Sequence, residues 1–397
     1  MTKFTNKKMA ERAMRTVGFF AAATLIFSLT PWTNAEESPH SPVIMEGADV
    51  LVVTDLAKIR NSSISKELEK MQKETGQSAK ASFKIEKYEE LGKELQKTTG
   101  LEEKDFKTFT LAAKLSDLDL TNKADIQKLN VAFALTLDKP LTLDKLEESL
   151  RKAADASEDV DTSAFKRTSI GKHEVLAVKN DETNNTLNKL LFTSVQDNKT
   201  ILGGTSAGLK SALSRIDNDS IFSVQEEFGG WPEKEGSPHI GLLVKPTSEM
   251  LAKAKKQLES TQQKKQGQAQ NRTKVAFIEI LPHIKRLVLA VDCTDKMYFT
   301  LHSLMDSAQQ AQKLTSLLKQ PVISMTQATL TMVSGGKRLD LAQSLNAKVA
   351  DNTRSVLSFQ LSQNDLKTLQ KMNKKMQQGR NSKSGKKSEK PSLDITP

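Results

Sequence analysis

The chain mixes short segments with apolar residues at every second position and longer segments with apolar residues three or four apart. The first pattern predicts half-buried strands and the second predicts amphipathic helices. Residues 109–115 and 131–137 alternate clearly, and a strand–turn–strand pattern surrounds Gly171 and Lys172. Helices are separated by strands that often come in adjacent pairs, which predicts a fold of the α+β class.

The same two patterns, with Ser or Thr caps and Gly or Pro stops, set the limits of the other elements. Further strands are predicted at 49–54, 165–170, 174–178, 190–195, 200–202, 240–244, 287–292, 297–301 and 355–361. Helices are predicted over 62–74, 83–97, 142–150, 205–216, 247–258, 275–284, 307–319, 327–345 and 363–376.

Two halves of the chain share one order of elements: a strand, a helical segment, two adjacent strands, a helix and a strand. The apolar pattern of 108–115 corresponds to that of 286–292, and the helix at 141–152 corresponds to that at 306–319. A β-α-β-β-α-β order is that of the split βαβ, or ferredoxin-like, unit. The sequence therefore predicts two diverged modules with extra hairpins and helices. A single continuous mixed sheet built from both halves is the alternative.

Composition changes along the chain predict its domain organisation. Residues 228–238 are dense in glycine and proline, and the strand pattern restarts after them. The resulting division is a signal peptide (1–35), a flexible leader (36–47), a first α+β module (48–216), a linker (217–239), a second α+β module (240–378) and a basic disordered tail (379–397).

The first 35 residues have the three-part order of a secretory signal peptide. Five bases and one acid precede an uncharged apolar run at 17–29, and small residues at 33–35 predict cleavage after Ala35. A spanning helix needs about 20 apolar residues, and this run is shorter. We therefore expect a periplasmic or secreted protein without a transmembrane segment in its mature chain. An uncleaved anchor or a buried helix is the alternative.

The 59 basic and 48 acidic residues give the chain a formal net charge of +11. Much of the excess is local, because eight bases lie between Lys371 and Lys390. Such a tail attracts anionic polymers without specificity, and the attraction depends on salt. Specific nucleic-acid binding is not expected, because the tail has no aromatic residue on which a base could stack. The oligomeric state stays open.

Cys293 is the single cysteine of the chain. A disulfide framework and a thiolate zinc site within one chain are therefore excluded. Cys293 ends an alternating segment, which favours an ordinary strand residue. We expect the exported chain to be held together by its hydrophobic core.

The glycine-rich segment 203–211 resembles a phosphate-binding loop in its context, since it follows a strand and opens a helix. A phosphate-binding loop requires a lysine directly after its last glycine, whereas Leu209 separates Gly208 from Lys210 here. One extra residue turns the lysine by about 100° around the helix. The segment is interpreted as a glycine turn with Thr205 or Ser206 as the helix cap, and no cofactor is expected.

No residue is assigned to a catalytic, cofactor-binding or metal site. The five histidines have no partner at helical metal spacing, and the acids at 155–161 are typical of a solvated loop. The leading hypothesis is an exported, non-enzymatic binding or structural protein that uses a sheet face or a cleft, with an unknown protein or anionic polymer as partner. One alternative is an exported hydrolase with a spatially assembled site drawn from Asp117, Asp119 and His173. Another is an envelope protein that binds an anionic polymer through the tail.

Overall fold

The structure is a computed structural model. It describes residues 41–45, 48–67, 70, 96–97, 99–114, 130–155, 165–179, 189–195, 198–220, 238–248, 250–252, 255–256, 275–323 and 339–368. The predicted signal peptide, Asp117, Asp119 and the basic tail lie outside these residues, as do most of the leader and of the linker. Within the described residues, no helix combines the length and the apolar character that crossing a bilayer requires.

The described residues contain twelve named strands and five named α-helices. The strands are β1 (Val50–Asp55), β2 (Phe106–Lys114), β3 (Asn130–Leu137), β4 (Phe165–Ile170), β5 (His173–Lys179), β6 (Lys189–Val195), β7 (Thr200–Gly204), β8 (Ile240–Val244), β9 (Ile284–Cys293), β10 (Met297–Met305), β11 (Asn346–Asp351) and β12 (Arg354–Leu361). The helices are α1 (Leu56–Asn61), α2 (Leu143–Asp155), α3 (Ser206–Asp217), α4 (Ala308–Leu317) and α5 (Asp340–Ser344). Helical residues 363–368 follow β12.

All twelve strands form one sheet in the order β11-β12-β10-β9-β8-β1-β2-β3-β7-β6-β5-β4. Every neighbouring pair is antiparallel. The β1–β8 pair joins the two halves of the chain through five residue pairs, from Val50–Val244 to Thr54–Ile240. The α+β class is confirmed. The continuous sheet corresponds to the alternative prediction, except that the sheet is antiparallel rather than mixed.

The split βαβ arrangement predicted for each module is not confirmed. In such a unit, two strands joined through a helix lie parallel, with another strand between them. Here β1 and β2, which flank α1 in the chain, are direct antiparallel neighbours, and β8 and β9 are too. The connecting segment in each half reverses the chain direction instead of crossing over. The division into modules 48–216 and 240–378 stays a prediction, because residues 221–237 lie outside the described part.

Outward from the β1–β8 pair, the strand order is β1-β2-β3-β7-β6 on one side and β8-β9-β10-β12-β11 on the other. The register matches as well. Leu111 pairs with Phe133, which pairs with Gly203. In the other half Leu289 pairs with Leu301, which pairs with Leu357. Positions in one half therefore have structural equivalents in the other. A duplication as the origin of this correspondence stays a prediction.

Hydrophobic side chains are buried on both sides of the sheet. On one side, which we call the α2 face, Phe133 packs against Phe109 and Phe192 with ring centroids 6.1 and 5.9 Å apart, and Leu146 of α2 belongs to the same cluster. On the same face of the second half, Leu314 of α4 clusters with Met305 and Ala347. On the opposite side, the α3 face, residues of α3 and of 43–45 cover the centre of the sheet. Each fully buried leucine contributes about 1.5–3 kcal/mol.

The glycine-rich segment before α3 is explained by close packing. Thr205 is the cap of α3, and its hydroxyl accepts a hydrogen bond from the Gly208 N–H at 3.2 Å. A Cβ atom at Gly204 or Gly208 would lie closer than 3.0 Å to the carbonyl oxygen of Val131 in β3. Thr205 is the helix cap, as predicted, but Gly203 and Gly204 end β7 instead of forming a turn. The glycines allow the start of α3 to touch the β3 backbone.

Candidate functional site

Three histidines pair with aspartates at three separate places. His173 Nε2 lies 2.8 Å from Asp217 Oδ1, and His283 Nδ1 lies 2.6 Å from Asp306 Oδ2. His239 Nδ1 lies 3.7 Å from Asp292 Oδ1. Each partner is distant in the sequence, because the sheet and its loops bring the two residues together. A search for partners three or four residues apart on one helix therefore could not find these pairs.

The pair of His173 and Asp217 ties the β4–β5 turn to the C-terminus of α3. Lys172 Nζ lies 3.1 Å from the same carboxylate oxygen. Hydrogen bonds from His173 and Lys172 lower the pKa of Asp217, so this carboxyl stays ionised. The structure thus gives His173 an acidic neighbour other than Asp117 and Asp119, which lie outside the described residues. Lys172 and the His173 ring both contact this one carboxylate, so the group is a structural contact between the β4–β5 turn and α3.

The pair of His283 and Asp306 closes one end of the β9–β10 hairpin. The Asp306 main-chain N–H donates to the His283 carbonyl oxygen at 3.0 Å. The hydrogen bond from His283 lowers the pKa of Asp306. In the first half, Asp138 N–H donates to the Asp105 carbonyl oxygen at 2.7 Å in the equivalent place. Because the main-chain bond recurs without a histidine, the arrangement belongs to the fold.

Cys293 is the last residue of β9, as expected for an ordinary strand residue, and its side chain is buried. Burial, followed by the negative charge of Asp292, raises its pKa to about 12. The thiol is therefore protonated at neutral pH and is a poor nucleophile. Among the described residues, no three His, Cys, Asp or Glu side chains are grouped so that they could hold a metal ion.

A mixed basic and apolar surface lies on the α3 face of the outer strands β9 to β12. We call it the outer face. Its residues form rows across the paired strands: Arg286, Leu304 and Arg354; Val288, His302, Val356 and Lys348; Ala290, Thr300, Ser358 and Asn346; and Asp292, Tyr298 and Gln360. Lys348 is exposed, Tyr298 is 39% exposed, and His302 and Arg354 are half-buried. Val288, Ala290 and Val356 in these rows are buried and form the floor of the outer face.

The equivalent surface of the first half is buried under α3. There, Ala134 and Leu202 stand where His302 and Val356 stand in the outer face, and they cluster with Leu209 of α3. Helical residues 363–368 follow β12 as α3 follows β7. Their Leu366 instead packs on the α2 face, in the cluster of Val291 and Cys293. The two halves therefore use this side of the sheet differently, and the second half places polar residues on it.

Positive charge surrounds the imidazole of His302. Burial, followed by the charges of Arg354 and Lys348, lowers its pKa to about 4, while the charge of Asp351 acts in the opposite direction. Arg354 also forms an ion pair with Asp351 at 2.7 Å. The ring is consequently neutral at pH 7, inside a positive local field. Sequence reasoning missed this group, because it predicted no strand at 346–351.

Comparisons with known proteins give only distant likenesses. No protein-family model matches the chain. No curated protein matches it either. Two solved structures, crystal forms IV and I of TP0453, align with TM-scores of 0.38 and 0.34, both at 11% identity. The alignments cover 84% and 85% of this chain and 96% and 99% of those chains. At these TM-scores the likeness carries no argument about fold or function.

Proposed function

We propose that this chain is an exported, non-enzymatic binding protein whose outer face binds an acidic protein partner. The observation that carries the proposal is the position of His302 among Lys348 and Arg354, on a side of the sheet that the first half covers with α3. Export is supported by the pattern of residues 1–35 and keeps the status of a prediction.

The chemistry of the outer face suits a protein partner with exposed carboxylates. Lys348 supplies an exposed positive charge that a partner carboxylate can contact, and Arg354, paired with Asp351, adds to the positive field around it. Tyr298 and Leu304 add apolar area on the same side of the sheet. Tyrosine and arginine are enriched at protein interfaces, where an apolar centre is combined with charged groups. A surface that bound only a polyanion would not require these apolar neighbours.

Reversing one charge tests the proposal. The probe is a fluorescent peptide of alternating Glu and Leu, and its binding to the full chain is measured by anisotropy at low salt. We expect Lys348→Glu to weaken binding about tenfold or more, because the variant replaces attraction by repulsion. The matched control is Lys313→Glu, at an exposed position of α4 on the opposite face, and it should bind within about twofold of the wild type.

Two other results would contradict the proposal. Equal loss in the Lys348 and Lys313 variants would show that only net charge matters. Tighter binding of inorganic polyphosphate than of the peptide, abolished by deletion of 379–397, would favour the envelope protein that binds an anionic polymer through its tail. Deletion of the tail is expected to leave binding of the peptide unchanged.

A further inference from the structure

His239 connects three strands at the junction between the two halves of the sheet. It directly precedes β8, and its carbonyl oxygen accepts the Asp55 N–H of β1 at 2.8 Å. Its main-chain N–H donates to Asp292 Oδ1 of β9 at 3.3 Å. Its ring Nδ1 accepts the Cys293 N–H at 2.5 Å. One residue therefore links β1, β8 and β9, at one end of the pairing that joins the halves.

We propose that His239 is a pH-sensitive latch, which holds this end of the junction closed while its ring is neutral and releases it when the ring takes up a proton. The latch does not depend on the function proposed for the outer face. It concerns how the two halves are held to each other.

The latch follows from the hydrogen bond of the ring. Nδ1 accepts a main-chain N–H, so its lone pair is occupied and the neutral ring must carry its proton on Nε2. A proton added to Nδ1 would point at the Cys293 N–H, and two donors would face each other. Asp292 Oδ1, 3.7 Å from Nδ1, is the acceptor to which a protonated ring could turn. The turn would break the bond to Cys293.

The charged and titratable groups around the ring come from each element packed at this end. Lys58 of α1 contributes a positive charge, Asp55 ends β1, and Asp292 and Cys293 end β9, while β8 itself has no charged residue. Burial and the charge of Lys58 lower the pKa of His239 to about 4, and the side chain is only 13% exposed. Burial raises the pKa of Asp55. Proton uptake at the latch is therefore coupled to its opening.

Release of the His239 ring would also weaken neighbouring hydrogen bonds between the two halves of the sheet. On the α2 face, Ile64 N–H and Ser63 Oγ both donate to the Thr294 carbonyl oxygen, at 3.1 and 2.9 Å. At the other end of the junction, the Lys245 N–H donates to the Asp49 carbonyl oxygen at 2.6 Å, a main-chain bond that does not titrate. Opening should therefore begin at the His239 end and pivot at the Asp49 end.

Hydrogen exchange of the full chain tests the latch. Protection factors, corrected for the intrinsic pH dependence of exchange, are compared at pH 7 and pH 4.5 for the amides of Asp55, Ile64 and Cys293. A ring that titrates near 4 when closed and near 6.5 when free shifts the opening equilibrium by at most roughly 50-fold between these pH values. We expect a loss of protection of more than about tenfold at the three amides and little change at Phe133 of β3.

The variant His239→Asn separates the latch from a general effect of acid. Its side-chain oxygen can accept the Cys293 N–H at any pH, so the acid-dependent loss at the three amides should disappear. His302→Asn is the matched control and should retain that loss. An unchanged loss in His239→Asn would overturn the proposal, as would equal losses at the junction and at Phe133. If His239→Asn does not fold, imidazole nitrogen shifts of the wild type decide, since Nδ1 must be unprotonated whenever the Cys293 amide is protected.

Discussion

Gly208→Ala is expected to destabilise the protein by about 1–3 kcal/mol, although alanine is the better helix former. At an ordinary helical position, this exchange stabilises by about 1 kcal/mol. Here the added Cβ would lie closer than 3.0 Å to the Val131 carbonyl group and 3.1 Å from the Ala132 nitrogen. Both neighbours are backbone atoms of β3 and cannot rotate away. Helix α3 would have to move outward, which would loosen the packing of Leu209 and Leu213.

Denaturant titration monitored by circular dichroism measures this effect as a lower midpoint. The matched control is Ala207→Gly, at the exposed neighbouring position of the same helix. It should destabilise by only about 1 kcal/mol, because it changes helix propensity without touching the sheet. A Gly208→Ala midpoint equal to or above that of the wild type would show that α3 does not approach β3 as closely as the structure indicates.

Much of the sheet was predictable because its strands alternate. Phe109 and Leu111 face the α2 cluster while Ala112 faces the opposite one, so β2 shows the two-residue period of a strand with two different faces. The turn at Gly171 and Lys172 was predictable for a second reason. Gly171 has a φ of +59°, a conformation that glycine adopts without strain. Strand alternation and a glycine turn each depend on a few neighbouring residues, so the sequence alone reveals them.

Strand β11 was not predicted, because an edge strand lacks the signal that alternation supplies. Only Ala347 is buried among its six residues, and the other five are exposed. Without β11, the positions of Lys348 and Arg354 beside His302 had no basis in the sequence. The basic character of the outer face therefore became visible only with the paired register of β10, β11 and β12.

Strand order was beyond sequence reasoning for a different reason. Strand β1 can satisfy its hydrogen bonds with any antiparallel neighbour of suitable length, and alternation does not say which. The pairing of β1 with β8 depends on residues about 190 positions apart. The bond from the Cys293 N–H to the His239 ring depends on the β8–β9 pairing, which places the two residues side by side. Residues that become neighbours only through strand pairing therefore cannot be recognised as a group from the sequence alone.

Acid is expected to destabilise the protein through His239 and His302, by at most about 3 kcal/mol for each ring between pH 6.5 and pH 4. Both have a pKa of about 4 in the folded chain, chiefly because of burial. Unfolding restores a value near 6.5, so the unfolded chain binds more protons in this window. The stabilisation is complete above pH 6.5 and is lost as the pH falls toward 4. Asp55 acts in the opposite direction, because burial raises its pKa.

The measurement is the free energy of unfolding in denaturant at pH 7, 5.5 and 4.5. His239→Asn combined with His302→Asn should flatten the loss, since neither replacement titrates. The matched control, His173→Asn, removes a ring whose Nε2 lies 2.8 Å from Asp217 at the surface, and the loss should remain. An equal loss in the double variant would show that the two rings do not cause the acid response. Because the pKa values of Asp217 and Asp306 are lowered, these carboxyls protonate below this window, and a further loss that appears only in an added measurement at about pH 3 would be due to such carboxyls.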